Sequence, residues 1–281
     1  GFDNVGLLVG DFQTEVTGLL VALDTLEETI DEAIDKNCNL VVSFHPIVFQ
    51  GLKKFNGNNY VERVVIKAIK NDIAIYATHT ALDNSHLGVS AKMAEVIGLV
   101  NTKILIPQRD IIKKLTTYVP HKDAKNLREA LFRSGAGNIG NYDNCSFNIK
   151  GEGTFRGNEN SNPTLGEIGK LHVEPETLIS VIFEKHLESK ILNTLFKNHP
   201  YEEVAYEVIT LDNTHQNIGM GMIGELPNEK KIKPFLDELK GLFGLNMIRH
   251  SKIIKNKINK VAVLGGSGAF AIDQAKRAGA D

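Results

Sequence analysis

Thiols are scarce in this chain. Cys38 and Cys145 are its two cysteines, too few for a disulfide framework or a thiolate metal site, and in keeping with a reducing cytoplasm. Charge of one sign is also missing: 32 Lys and Arg stand against 34 Asp and Glu, so no electrostatic footprint for nucleic acid is present. The apolar runs are strand-length, and none could span a membrane as a helix. No secretory signal is visible, and a cytoplasmic protein is expected. There is no G-x-S-x-G elbow, the turn Gly265 to Gly268 is neither a Walker A loop nor a G-x-G-x-x-G fingerprint, and neither cysteine has an activating neighbour in sequence.

What is present is a well-mixed globular composition, 42% apolar and 23% charged over 281 residues, long enough for two cores. From Val16 to about Leu99 the pattern alternates. Strands are expected at Thr17 to Leu23, Leu40 to Ser43 and Ile73 to Ala77, and helices from a Thr25 cap through Ile34, about Val61 to Lys70, and about Val89 to Gly98. Continuous Val/Ile/Leu runs between amphipathic segments predict βαβ units and a mostly parallel sheet buried on both faces. Lys257 to Ala278 returns to that strand-turn-helix style.

The middle differs. Strand Lys114 to Val119, helix Ala124 to Ser134, strands around Cys145 to Phe155 and Glu176 to Glu184, helix His186 to Asn198 and strand Val204 to Leu211 follow in the order βαββαβ. That order is the ferredoxin-like split motif. The expected architecture is therefore an α/β host, 1–109 with 213–281, carrying an inserted α+β ferredoxin-like domain, 110–212. The glycine- and asparagine-rich stretch Gly151 to Pro163 is expected to be a long hairpin loop. The chain opens at Gly1 without a methionine and closes on the turn Gly279-Ala280-Asp281, so it is expected to run on at both ends in a longer protein.

Ligands of open parallel sheets collect outside the carboxyl ends of the strands. Asp24 ends one strand-like run, Ser43-Phe44-His45-Pro46 ends a second, and Thr78-His79-Thr80-Ala81-Leu82-Asp83 follows a third. A neutral His45 and a carboxylate at Asp83 suit zinc, manganese or iron, and two ligands start a site without filling it. The plainer alternatives are a hydrogen-bonded surface histidine and an aspartate that caps the loop before Gly88. Gly265-Gly266-Ser267-Gly268 joins a strand to a helix, where backbone N–H groups could hold a phosphate or carboxylate, or where glycine could serve a tight turn and close helix packing. His199-Pro200-Tyr201-Glu202-Glu203 reads as turn chemistry and solvated charge. The histidines at 86, 121, 172, 186, 215 and 250 show no mutual metal-ligand spacing.

On these residues the chain resembles the Nif-three-like family, the GTP cyclohydrolase I type 2 homologues. Phe2-Asp3-Asn4-Val5-Gly6-Leu7-Leu8-Val9-Gly10 is similar to the family's opening motif, Ser43 to Phe49 to its histidine-proline motif, Thr78 to Asp83 to its His-Thr-x-x-Asp motif, and Val263 to Gly268 to a glycine turn near its end. The resemblance implies a two-metal site built from two adjacent histidines, an aspartate, and a His and Glu from a segment beyond Asp281. His45 matches the second histidine and Asp83 the aspartate, while Phe44 stands where many members have the first histidine. It also implies a toroidal homohexamer and, in larger bacterial members, a central insert similar to the CutA and PII folds. The function expected is a metal-dependent hydrolase acting on a nucleotide or other phosphate-bearing small molecule. The alternative is a ring-forming regulatory or binding protein with a structural metal and a ligand-sensing insert.

Overall fold

The computed structural model describes residues 3–281; Phe2, with which the opening motif begins, lies outside the described residues. Along the chain run β1 (Gly6–Val9), β2 (Leu19–Ala22), α1 (Glu27–Asp35), β3 (Leu40–Ser43), α2 (Tyr60–Lys70), β4 (Ala74–Ala77), α3 (His79–Asp83), α4 (Val89–Ile97) and β5 (Val100–Pro107). Then come β6 (Ile112–Pro120), α5 (Ala124–Arg133), β7 (Phe147–Phe155), β8 (His172–Glu184), α6 (Glu188–Asn198) and β9 (Tyr206–Leu211). The chain closes with β10 (Gly219–Lys231), α7 (Ile232–Leu242), β11 (Lys257–Val263) and α8 (Ile272–Arg277). These elements form two compact units, one made of the residues up to Ile106 together with Asn217–Asp281, the other of Pro107–Gln216.

In the first unit a four-stranded sheet has the order β1-β4-β3-β2. Strands β2, β3 and β4 are parallel, and β1 pairs antiparallel with β4. The row Leu20, Val41 and Ile75 lies in register across the ladder, and Val41 and Ile75 are fully buried with Ile30 of α1 and Val64 of α2. Each such side chain contributes about 1.5–3 kcal/mol by leaving water. Helix α2 forms because Val61, Val64, Val65 and Ala68 repeat at i, i+3, i+4 and i+7, turning one stripe to the sheet. Its start is fixed by Asn59, whose side chain accepts from the Glu62 N–H at 2.9 Å.

Three expectations need correction here. The parallel sheet is not covered on both faces: Val21 is 74% exposed and Tyr76, in the same row, 39% exposed. Thr25 does not cap α1; its hydroxyl is buried without a partner, while Thr29 accepts from the Leu26 N–H at 3.1 Å. The segment Lys257 to Ala278 does not extend the parallel ladder. Its strand β11 pairs antiparallel with β10 in a separate three-stranded sheet of order β11-β10-β5, closed by Met222, Leu226, Phe235 of α7 and Ala94 and Ile97 of α4.

The second unit has the order β6-α5-β7-β8-α6-β9 and one antiparallel sheet, β7-β8-β6-β9. Ile179, Val181 and Phe183 alternate along β8 toward its core, where they meet Leu127 and Leu131 of α5 and Ile191 and Leu195 of α6. Gly151 to Phe155 are strand, not loop; the connection begins after Phe155. A Cβ at Gly153 would lie 2.1 Å from Glu176 Oε2, so the Glu176 carboxylate occupies the space that a side chain there would take.

Candidate metal centre

The register of the parallel ladder builds the site. Ala22, Ser43 and Ala77 are aligned across β2, β3 and β4, and the pairing continues past the strand ends. Phe44 N–H donates to Ala22 C=O at 3.1 Å, His45 N–H to Leu23 C=O at 3.0 Å, and His79 N–H to Phe44 C=O at 2.9 Å. Two residues beyond each aligned position stand Asp24, His45 and His79. The sequence delivers them side by side because three short apolar strands stop at matching heights.

Each imidazole is held by a carboxylate. His45 Nδ1 donates to Asp24 Oδ1 at 2.8 Å, and His79 Nδ1 donates to Asp3 Oδ1 at 2.6 Å. The second pair is the more sheltered, with side-chain exposures of 24% for His79 and 19% for Asp3 against 47% for His45 and 53% for Asp24. Asp3 also accepts from the Thr80 hydroxyl and, at 3.3 Å, from the Thr80 N–H. Burial pushes the Asp3 carboxyl up, but these hydrogen bonds and the charge of His79 outweigh it and the net shift is downward. His79 adopts φ +23°, a conformation that costs a non-glycine residue about 1–3 kcal/mol and that gathers at functional sites.

The His45 and His79 ring centroids lie 5.7 Å apart, with Phe44 edge-on to both, at 5.0 Å from His45 and 5.5 Å from His79. Asp83 closes the group from the end of α3. Burial raises its pKa; the charges of His79 and His45 pull it down while Asp3 pushes it up, and the net shift is upward. The turn from α3 to α4 depends on Gly88, where a Cβ would sit 1.8 Å from the Leu82 carbonyl oxygen.

Of the glycine turn, Gly265 and Gly266 line a cleft of about 440 Å³ together with Asp83, Phe44, Val89 and the apolar end of β2. A Cβ at Gly265 would stand 3.7 Å from Asp83 Oδ1 and 3.0 Å from Val89 Cγ1. Ser267 and Gly268 are not among the lining residues, and the lining includes no Lys or Arg. A three-ten turn, Ala269–Ala271, separates the glycines from α8, which has 6 residues. The helix-terminus reading therefore reduces to the backbone N–H groups of the turn itself, since so short a helix carries little macrodipole.

The donor set suits a divalent cation in kind. Metal-ligating histidines usually give their other ring N–H to a carboxylate, and this leaves Nε2 for the metal; His45 and His79 are held in that way by Asp24 and Asp3. It is not assembled into a closed site. Among the described residues no three His, Cys, Asp or Glu side chains converge on one point where an ion could sit. Sequence alone names His45 and Asp83 as ligands; Asp24 and His79 enter it only as residues near strand ends, and Asp3 only as part of the opening motif. The two-residue offset from aligned strand ends is the signal that could have found Asp24 and His79.

Comparison with known proteins decides the family. The model of the Duf34/NIF3 (NGG1p interacting factor 3) family matches residues 1–281. This chain belongs to that family. It is 39% identical over 280 residues to a Bacillus subtilis protein named GTP cyclohydrolase 1 type 2 homolog, covering 99% of this chain and 75% of the relative. A Listeria monocytogenes protein of the same name is 36% identical over 281 residues, with 99% and 75% covered. The crystal structure of a Bacillus cereus protein related to NIF3 matches with a TM-score of 0.81 at 39% identity, over 100% of this chain and 75% of that one. A Staphylococcus aureus structure matches with a TM-score of 0.73 at 31% identity, over 100% and 74%. The mixed α/β fold of the family is thus established for this chain. Among the described residues no helix is long and apolar enough to cross a membrane.

Proposed function

We propose that the carboxyl edge of the β2-β3-β4 ladder is one part of a metal-dependent hydrolytic centre acting on a small molecule seated in the cleft beside Asp83 and Gly265. The observation that carries this reading is the pair of carboxylate-held imidazoles, His45–Asp24 at 2.8 Å and His79–Asp3 at 2.6 Å. Such pairs fix the tautomer and aim of a histidine and raise its basicity as a ligand. His45 and Asp83 would hold the ion, with His79 beside them, and a bound zinc, manganese or iron ion would supply an activated water and a Lewis acid. The chain's own residues do the rest. Asp24 and Asp3 orient the rings, Phe44 shields the space between them, and the apolar end of β2 with Val89 keeps one side of the cleft dry. The name carried by the curated relatives makes a nucleotide or other phosphate-bearing small molecule the substrate class proposed. Gly265 and Gly266 would meet its anionic group with backbone N–H donors. The missing ligands would come from a segment beyond Asp281, and the exposed apolar row of β2 favours assembly into the family's proposed ring.

The experiment is titration calorimetry with Mn²⁺ and Zn²⁺. The 281-residue chain should bind weakly, a version extended past Asp281 by orders of magnitude more tightly, and His45→Ala in the extended protein should remove that gain. Absence of divalent-metal binding by the extended protein would falsify the hydrolase reading. A regulatory or binding protein is the second reading, favoured by one observation: the ring packed edge-on against both imidazoles is Phe44, which cannot ligate a metal, at the position where the family resemblance implies a further histidine. An activity screen over nucleotides and phosphoesters, run beside metal-stripped protein, separates the two.

A further inference from the structure

The second unit holds a cavity of about 550 Å³ that the metal centre does not use. This volume falls in the range of sites that enclose small ligands. Its walls are largely apolar, with Phe155 and Ile149 from β7, Leu178 from β8 and the ring of Tyr118 from β6. Its polar feature is a carboxylate. Glu176 is 8% exposed; its Oε1 accepts from the Tyr201 hydroxyl at 2.8 Å, and its Oε2 has no hydrogen-bond partner among the described residues. Oε2 lies over Gly153, in the space a side chain at that position would occupy.

Oε2 is not sealed from solvent, so this largely buried carboxylate keeps one oxygen open to the cavity, where a donor or a positive charge arriving from outside could pair with it. The wall has one basic side chain, Arg156, which is exposed and forms no ion pair with any described carboxylate. Three further acids, Glu152, Glu202 and Glu203, share the lining, so the surroundings attract cations and repel phosphates. Burial and the hydrogen bond to Glu176 push the Tyr201 phenol well above its ordinary value, so it remains a donor to Oε1 and leaves Oε2 as the open acceptor. Phe155 and Tyr201 stand edge-on with centroids 5.7 Å apart, giving the aromatic surface on which an ammonium group or an aromatic body is favoured.

We propose that this cavity is a binding site for a small organic cation, an ammonium group donating to Glu176 Oε2 with its hydrocarbon or aromatic body against Phe155, Tyr118 and Leu178. The site lies wholly within the second unit and does not depend on the metal reading. Its occupant is opposite in charge to the phosphate-bearing substrate proposed for the first unit, so the two sites would not compete for one ligand.

The test uses three probes of one shape: phenethylammonium, the neutral 2-phenylethanol and the anion phenylacetate. Titration calorimetry on the 281-residue protein should show the amine binding with one site per chain, the alcohol at least about tenfold weaker, and the anion silent, since a charge-assisted hydrogen bond to a buried carboxylate separates them. Glu176→Gln keeps an acceptor for Tyr201 and should weaken the amine at least about tenfold, while Glu28→Gln, on exposed α1, should leave it unchanged. Independently of any variant, the amide resonances of Gly153, Phe155 and Leu178 should shift with the amine. Equal affinity for amine and alcohol, undiminished binding by folded Glu176→Gln, no heat with the amine at millimolar concentration, or resonance shifts confined to other residues would each overturn the proposal.

Discussion

His79 donates through Nδ1 to the Asp3 carboxylate at 2.6 Å and so joins residues 76 positions apart. The bond ties the start of the chain to the carboxyl end of β4, where α3 begins, and it does so at a residue whose φ of +23° is unfavourable. The carboxylate does more than balance charge. By accepting from His79, from the Thr80 hydroxyl and from the Thr80 N–H it satisfies the first turn of α3, which has no side-chain cap of its own. Asp3 is thus a cap supplied from a distance, and its loss should loosen the helix that carries Asp83.

Asp3→Ala should accordingly destabilise the first unit by about 2 kcal/mol, the usual cost of removing a charged hydrogen-bond acceptor from a sheltered site. Thr80→Val should cost less, about 1 kcal/mol, because the His79 bond survives. Hydrogen exchange at the α3 and α4 amides measures both, and protection equal to wild type in Asp3→Ala would show that the strand ends hold α3 without help.

Asp24→Asn addresses the other imidazole. The substituted amide would still accept from His45 Nδ1, but the charge that makes the ring a stronger ligand is gone. In a protein extended past Asp281, divalent-metal affinity should fall by about 10- to 100-fold, the ordinary effect of losing a carboxylate behind a metal histidine. The fold should be untouched, since Asp24 and His45 are both half-exposed and exposed pairs add little stability. Calorimetry and a thermal melt on the same sample separate the effects; a drop in melting temperature with unchanged affinity would count against the metal reading.

Gly88→Ala tests the backbone that places Asp83. The added methyl would stand 1.8 Å from the Leu82 carbonyl oxygen, a backbone atom that cannot swing away as a side-chain tip could. A cost of about 3 kcal/mol or more is expected. Gly265→Ala should cost clearly less, because its tightest contact is Val89 Cγ1 at 3.0 Å, which a small rotation relieves. Urea midpoints for the two variants should fall in that order, and the reverse order would mean that the α3–α4 turn is freer to move than its geometry indicates.

Much of the fold follows from apolar runs alone. Leu40–Ser43 and Ala74–Ala77 stand out as buried strands because unbroken β-branched and aliphatic residues have no helical spacing, and the strands of the second unit alternate with amphipathic helices whose stripes are plain. Strand β10 does not stand out. Gly219, Gly221, Gly224 and Pro227 all argue against a strand locally, yet Gly224 is glycine because Thr102 and Val100 press on it, where a Cβ would meet atoms at 2.9 Å. That tertiary cause leaves no trace in the local pattern. The site was legible in part for the same reason: His45 and Asp83 end recognisable motifs, whereas Asp24 and Asp3 gain their roles only through strand register and a contact 76 residues long.

His199 makes the second unit sensitive to acid. It is 7% exposed, donates through Nε2 to the Tyr118 carbonyl at 2.9 Å and accepts at Nδ1 from the Tyr201 N–H at 3.1 Å. The neutral Nε2–H tautomer satisfies both bonds; protonation would place a second hydrogen on Nδ1, facing another donor. Burial lowers the pKa and outweighs the Tyr118 carbonyl and the charges of Glu176 and Asp123, which act the other way. The folded state therefore binds this proton less readily than the unfolded chain, whose histidine titrates near the ordinary value of about 6.5. Stability is complete above that value and declines as pH falls from it toward the depressed folded pKa, by at most about 1.4 kcal/mol per pH unit. Exchange protection of the Leu127 and Leu131 amides should drop between pH 7.5 and pH 5 in the wild type. In His199→Asn, which starts less stable, the same interval should produce a flatter response. A wild-type slope that matches the variant's would show that another group carries the acid sensitivity of this unit.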